Sequence, residues 1–269
     1  MKLASLDQVD QNYRHIYLQP HFDDAALSCG GTIALQKLTG QKVLVVTAFG
    51  GAPAAGTPLS PFARQLIARD GLGTDAAEAV GMRQAEDEAA LTTLGADAYW
   101  LDFADAPYRG NPATYPDNES LFGQVQPSDQ SLDEEIAKVL LQLHERASQA
   151  VIYAPLGVGR HVDHQICCSA ADRLAQQKIT VKFYEDYPHV TRKGALEGRQ
   201  KELGIAMEPE MVEISNLPAQ LKEDAILRYR SQVPVLFQTE DKMRSTIKDY
   251  ASSIRRTYPG IQIERYWTW

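Results

Sequence analysis

What this 269-residue sequence lacks narrows its classes first: it is poor in cysteine, carries no excess of positive charge and has no long apolar run. Its three cysteines are Cys29 and the adjacent pair Cys167 and Cys168, an odd set with poor bridging geometry, so buried, reduced thiols are expected rather than a disulfide framework. With 27 Lys and Arg against 35 Asp and Glu, the formal charge of −8 argues against a nucleic-acid partner, which requires a basic face to displace counterions. Such an acidic surface weakly favours neutral or cationic small molecules. The first thirty residues hold no apolar stretch behind a basic start, and nowhere do about twenty apolar residues run together; neither signal peptide nor membrane span is expected, and a cytoplasmic setting follows. No Gly-x-Gly-x-x-Gly follows the first apolar run, which weighs against a dinucleotide site. No repeat, low-complexity segment or linker divides the chain, so residues 1–269 read as a single domain; a homo-oligomer is compatible with the sequence.

What is there alternates between two periods. His15 to Pro20 is a β-prone run, Ala25 to Thr39 has helical spacing and stops at Gly40, and Lys42 to Phe49 is almost continuously apolar, as in a strand buried on both faces. Gly50 to about Gly73 predicts an irregular insertion. Met82 to Leu94 predicts a helix and Ala98 to Phe103 a third strand, with a second irregular block over residues 104–129. Ser131 or Asp133 caps a helix reaching about Ser148, Ala150 to Pro155 is a fourth strand, Val162 to Gln177 a helix and Thr180 to Tyr184 a fifth strand. This order predicts an α/β fold, a Rossmann-like, doubly wound and mostly parallel sheet with helices on both faces, its core over about 14–190. Residues 191–269 read as a helical and edge-strand extension: a strand at Met211 to Ser215, helices over Pro218–Ser231 and Glu240–Ile254, and an aromatic tail from Ile261 to Trp269 docked on the body.

Ligand sites of open parallel sheets lie at the carboxyl ends of strands, and two polar clusters fall there. His21, Asp23 and Asp24 follow the first strand; His161, Asp163 and His164 follow the fourth. Two residues between His21 and Asp24 let an imidazole and a carboxylate converge on one ion while Asp23 is directed elsewhere, and His161 and His164 stand at i and i+3. Such donors suit zinc, although iron or cobalt takes the same set, and three protein ligands leave an open position for water. Singly, each cluster has an ordinary explanation: paired aspartates cap helices, and a lone His-x-x-His is usually incidental. Their pairing at two strand ends of one sheet is what points to a site.

Pro20-His21-Phe22-Asp23-Asp24 followed by Gly30-Gly31 resembles the P-H-P-D-D-E motif and glycine pair of the LmbE/PIG-L deacetylase family. The stretch from Pro155 to His164 resembles its second motif, a glycine-bearing loop ending H-P-D-H, and Arg83-Gln84-Ala85-Glu86 its R-x-x-E. By that resemblance one Zn2+ would be bound by His21, Asp24 and His164, Asp23 would be the general base, and His161, held by Asp163, would stabilise the oxyanion or protonate the leaving amine. The implied activity is removal of an N-acyl group, chiefly acetyl, from an amino sugar or sugar-bearing metabolite; amidase action on a sugar-thiol conjugate is the alternative, and a non-catalytic nucleotide-binding domain a remoter one. Phe22 and Val162 replace the family's prolines and Ala25 its glutamate, departures that suggest a branch other than the thiol-cofactor biosynthetic deacetylases; some members acting on glycosylated natural products carry a small or apolar residue after the two aspartates. Glu185, Asp186 and Tyr187, in a segment resembling the family's Y-E-D-x-P, are expected to border the substrate pocket. Arg83 is expected to meet substrate hydroxyls or to pair with Glu86, and Cys29 to pack in the core.

Overall fold

The alternation of β-branched runs with helical periods builds a seven-stranded sheet, seen in a computed structural model that describes residues 1–54, 56–255 and 261–269. Its strands are β1 (Tyr13–Gln19), β2 (Lys42–Thr47), β3 (Asp97–Trp100), β4 (Val151–Pro155), β5 (Val181–Tyr184), β6 (Glu208–Ile214) and β7 (Gln262–Thr268). The helices are α1 (Asp24–Leu38), α2 (Pro61–Arg69), α3 (Ala76–Leu94), α4 (Asn118–Leu121), α5 (Leu132–Arg146), α6 (Val162–Ala175), α7 (Ala195–Leu203), α8 (Asn216–Ile226), α9 (Val233–Phe237) and α10 (Glu240–Ile254). Strand order is β3-β2-β1-β4-β5-β7-β6; β1 to β5 pair in parallel, and β7 runs antiparallel to both β5 and β6. The sheet is therefore mostly parallel and doubly wound, as the sequence predicts. Ile16, Leu18, Leu44, Val46, Ile152 and Ala154 are buried on its inner strands, which is why those segments read as unbroken apolar runs.

The glycine pair of the first motif marks where the C-terminal part meets this core. A Cβ on Gly30 would lie 2.9 Å from the Lys222 side chain, and one on Gly31 would lie 2.7 Å from Ile214. Into that gap comes Glu264, which accepts hydrogen bonds from the amides of Gly31 (2.9 Å) and Thr32 (2.8 Å) and pairs with Lys222 Nζ at 2.7 Å. Glu264 and Lys222 are both buried, so this ion pair ties β7 and α8 to α1.

Several elements differ from expectation. The tail from Ile261 is a strand lodged inside the sheet, with Trp269 stacked on Phe183 at 3.8 Å between ring centroids. The first irregular block contains α2, which Ser60 caps through the Ala63 amide with Pro61 in the first turn. Helix α3 begins at Ala76, six residues before the expected Met82, because Asp75 caps it. Cys29, Cys167 and Cys168 are free and buried, as expected. No helix among the described residues is long and apolar enough to cross a membrane.

Candidate metal centre and active site

Strands β1 and β4 lie side by side at the middle of the sheet, and the chain leaves them in opposite directions, so a crevice opens at their carboxyl ends. Both sequence clusters meet it: residues 21–24 join β1 to α1, and residues 161–164 begin α6, with His161 and His164 on the lining and Asp163 buried behind it. Asp23, at the N-cap of α1, has φ 104° and ψ −29°, a left-handed conformation that costs a non-glycine residue roughly 1–3 kcal/mol. The turn is held from outside: Arg83 donates to the Phe22 carbonyl (2.5 Å) and to Asp23 Oδ2 (3.2 Å), while the buried Phe22 ring meets Trp100 edge-on. Gln19 accepts from the Ala25 amide at 3.0 Å and anchors the helix start beneath.

The turn brings Asp24 Oδ2 to 3.5 Å from His21 Nδ1 and 3.4 Å from His164 Nε2. Donors bonded to one tetrahedral zinc at about 2.0–2.1 Å stand about 3.3 Å apart, the scale of the two separations between Asp24 and the imidazoles. The other nitrogen of each ring meets a buried carboxylate: His21 Nε2 lies 3.0 Å from Asp163 Oδ2, and His164 Nδ1 lies 2.6 Å from Asp186 Oδ1. A carboxylate behind each imidazole fixes its tautomer and aims the free nitrogen at the ion. Burial disfavours charge on His21, yet Asp105, Asp163 and Asp24 outweigh it and raise its pKa well above the ordinary range; burial is likewise offset at His164 by Asp24 and Asp186. Asp24 pays burial too, and the imidazoles of His164 and His21 still hold it well below the usual carboxylate range. The cluster thus calls for positive charge, which a divalent cation supplies. Among the described residues, the groups whose donor atoms all lie within 4.8 Å of one another and could hold a metal are His21, His161 and His164, and His21, Asp105, His161 and Asp163. His21 and His164 of the expected ligand set are among them, whereas Asp24 belongs to neither group and joins the site through its separations from those two rings.

His161 is presented differently. At the N-cap of α6, its Nδ1 accepts from the Asp163 backbone amide at 3.3 Å, which leaves the ring proton on Nε2, at the cleft. Burial and the neighbouring His21 push its pKa well below the ordinary value, so the ring is neutral and a donor. Asp163 therefore holds His161 through its main chain, whereas its carboxylate serves His21, the Ala106 amide (3.0 Å) and the Arg109 guanidinium (2.6 Å). Asp23 is the carboxylate outside the expected ligand set: burial raises its pKa to about 7 against the opposing pull of Arg83.

Two expected pocket residues lie behind the cleft. Asp186 is 1% exposed and is occupied by His164 and the Val158 amide (2.8 Å). Glu185, also buried, accepts from Trp267 Nε1 (2.9 Å), Arg265 Nε (2.5 Å) and the Tyr250 hydroxyl, fastening β7 to the end of β5. Arg83 and Tyr187 do line the cleft, but Arg83 bonds Asp23 rather than Glu86, whose carboxylate accepts from Ser231. Asp105, 3.4 Å from His21 Nε2, together with Arg109 and His189, completes the surroundings and was not singled out in the sequence. Asp105 and Arg109 come from the irregular block after β3; their place at a strand's carboxyl end was the available signal.

The chain is similar to known proteins over most of its length. Residues 16–175 match the PIG-L family, described as GlcNAc-PI de-N-acetylase. The chain is 30% identical over 236 residues to a 2'-N-acetylparomamine deacetylase of Niallia circulans, covering 84% of this chain and 82% of that one. It is 29% identical over 190 residues to a protein of the same description from Streptomyces fradiae, covering 68% and 60%. Among solved structures, the zinc inhibited form of teicoplanin deacetylase Orf2 superposes with a TM-score of 0.78 at 26% identity, over 94% of this chain and 97% of that one.

Proposed function

Because the chain belongs to the PIG-L family of de-N-acetylases, we propose that it is a metal-dependent hydrolase removing an N-acyl group, chiefly acetyl, from an amino sugar of a glycosylated metabolite. The observation that carries this reading is the coexistence of Asp24 close to both His21 and His164, rings backed by Asp163 and Asp186, with a separate strained Asp23 in the same cleft. Zinc bound by His21, Asp24 and His164 would supply Lewis-acid chemistry, polarising the acyl oxygen and lowering the pKa of water from near 16 towards about 7.

The chain's own groups do the rest. Asp23, with a pKa of about 7, accepts the proton of the attacking water and returns it to the departing nitrogen, since a group poised near neutrality serves both directions. Arg83 holds its carboxylate in place and favours its ionised form. The neutral His161 points Nε2–H at the cleft, where it donates to the oxygen that gains charge as water adds to the carbonyl carbon. Cleavage of the C–N bond then leaves a carboxylate and a free amine.

The relatives named for 2'-N-acetylparomamine and teicoplanin support a sugar-bearing substrate. The test is release of amine from a panel of N-acetylated sugars and sugar-thiol conjugates, with and without a chelator. Chelator-sensitive release from the sugars is expected; release that survives complete metal removal would refute the metal-dependent reading.

A further inference from the structure

Four carboxylates line the cleft: Asp23, Asp24, Asp70 and Asp105. Three belong to the chemistry already described, Asp23 with Arg83, Asp24 with the two imidazoles, and Asp105 beside His21. Asp70 does not. It caps the end of α2, and its side chain is only 9% exposed. Its ion-pair partner is the neighbouring Arg69, whose Nε lies 2.6 Å from Oδ1 on a side chain that is 52% exposed; the partly buried Arg83 across the cleft feels its charge without pairing with it. Its other oxygen accepts from Gln232 Nε2 at 3.3 Å. Gln232 is itself 7% exposed and lines the same cleft; its amide nitrogen is used by Asp70 and Ser231, while no described residue donates to its Oε1. A nearly buried carboxylate and an amide oxygen thus stand together on one wall, and such a pair selects a donor, best a charged one.

We propose that Asp70 and Gln232 form a subsite for an ammonium group on the non-reacting part of the substrate, so that the enzyme prefers N-acyl amino sugars joined to a second, amine-bearing ring. The inference rests on the proposed amide hydrolysis. The reacting nitrogen is an amide and carries no charge, so a cation read at Asp70 belongs to another ring. The exposed Arg69 is a weak competitor, because an ion pair held in water contributes little and an incoming ammonium can displace it. The net charge of −8 acts in the same sense, drawing cations towards the cleft.

The experiment compares kcat/KM of the metal-loaded enzyme on 2'-N-acetylparomamine, which carries amines on its aminocyclitol ring, and on neutral methyl N-acetylglucosaminide. The quantity read is their ratio, which does not depend on the fraction of active protein. Asp70→Asn is expected to lower the ratio by about ten- to a hundredfold, the worth of one hydrogen bond to a charged group, chiefly through KM on the cationic substrate; Asp70→Glu recovers part of it. A ratio unaltered by Asp70→Asn overturns the subsite. Should that variant fail to fold, the wild type still decides: raising salt from about 0.01 M to about 1 M, which shortens screening from about 30 Å to about 3 Å, must erode the preference for the cationic substrate. A preference that is absent or indifferent to salt refutes the proposal. Amine release from neither substrate would instead count against the hydrolase reading itself.

Discussion

Asp186→Asn isolates the contribution of the carboxylate behind His164. In the native protein Asp186 Oδ1 lies 2.6 Å from His164 Nδ1 and Oδ2 accepts from the Val158 amide at 2.8 Å. Asparagine keeps the shape but offers one acceptor and one NH2, so whichever way it turns, a donor faces a donor at a site 1% exposed. Loss of a hydrogen bond to a charged group costs about 1.5–3 kcal/mol. At about 1.4 kcal/mol per factor of ten, that is roughly 10–150-fold. Carboxylates behind metal-bound histidines are worth about 10–100-fold in metal affinity, so the two scales agree. The assay is competition for zinc against a chromogenic chelator, with circular dichroism to verify the fold. Metal affinity within about twofold of wild type, in a folded variant, would refute the assignment of Asp186 to the metal. If the variant instead raised KM alone, Asp186 would be a substrate contact, as its position in the sequence first suggested.

Glu185→Ala should act on stability and not on substrate binding. Removing this buried carboxylate strands Arg265, Trp267 and Tyr250, a cost of about 3–5 kcal/mol; a thermal melt should fall by about 10 °C at 2–4 °C per kcal/mol, and a change in KM without a change in melting would contradict the structure. Gly31→Ala places a Cβ 2.7 Å from Ile214 and 3.0 Å from Glu264 and should cost about 1–3 kcal/mol, measured by denaturant midpoint; an unshifted midpoint would show that α1 is not so closely approached.

The sequence discloses the two halves of the candidate site because His21 to Asp24 and His161 to His164 are local motifs at strand ends of one sheet; that β1 and β4 are neighbours in it is seen only in the structure. It could not disclose which carboxylate serves which ring. Asp163 looked like a partner for the adjacent His161, yet its carboxylate reaches His21, a contact spanning 142 positions. Adjacent Glu185 and Asp186 could both have faced a pocket; only the depth of β5's end shows that both are enclosed. Arg109 and Asp105 lie in a proline-rich block without period, and their placement depends on the distant Asp163 and His21. Strand β7 escaped notice because its buried positions include Gln262 and Glu264, so polar residues sit where apolar ones mark a strand. Glu264 is buried there by its pairing with Lys222 and the amides of α1, a tertiary arrangement with no local signature.

The central claim is that Asp23 and a metal held by His21, Asp24 and His164 act together in amide hydrolysis. The most direct test measures metal content and amine release side by side for the wild type and Asp23→Asn, using an N-acetylated amino sugar. Both proteins should hold close to one equivalent of divalent metal, and the variant should lose about 10²–10⁴-fold in kcat. A variant that keeps full turnover, or a wild type that hydrolyses the amide with no metal bound, would contradict the account.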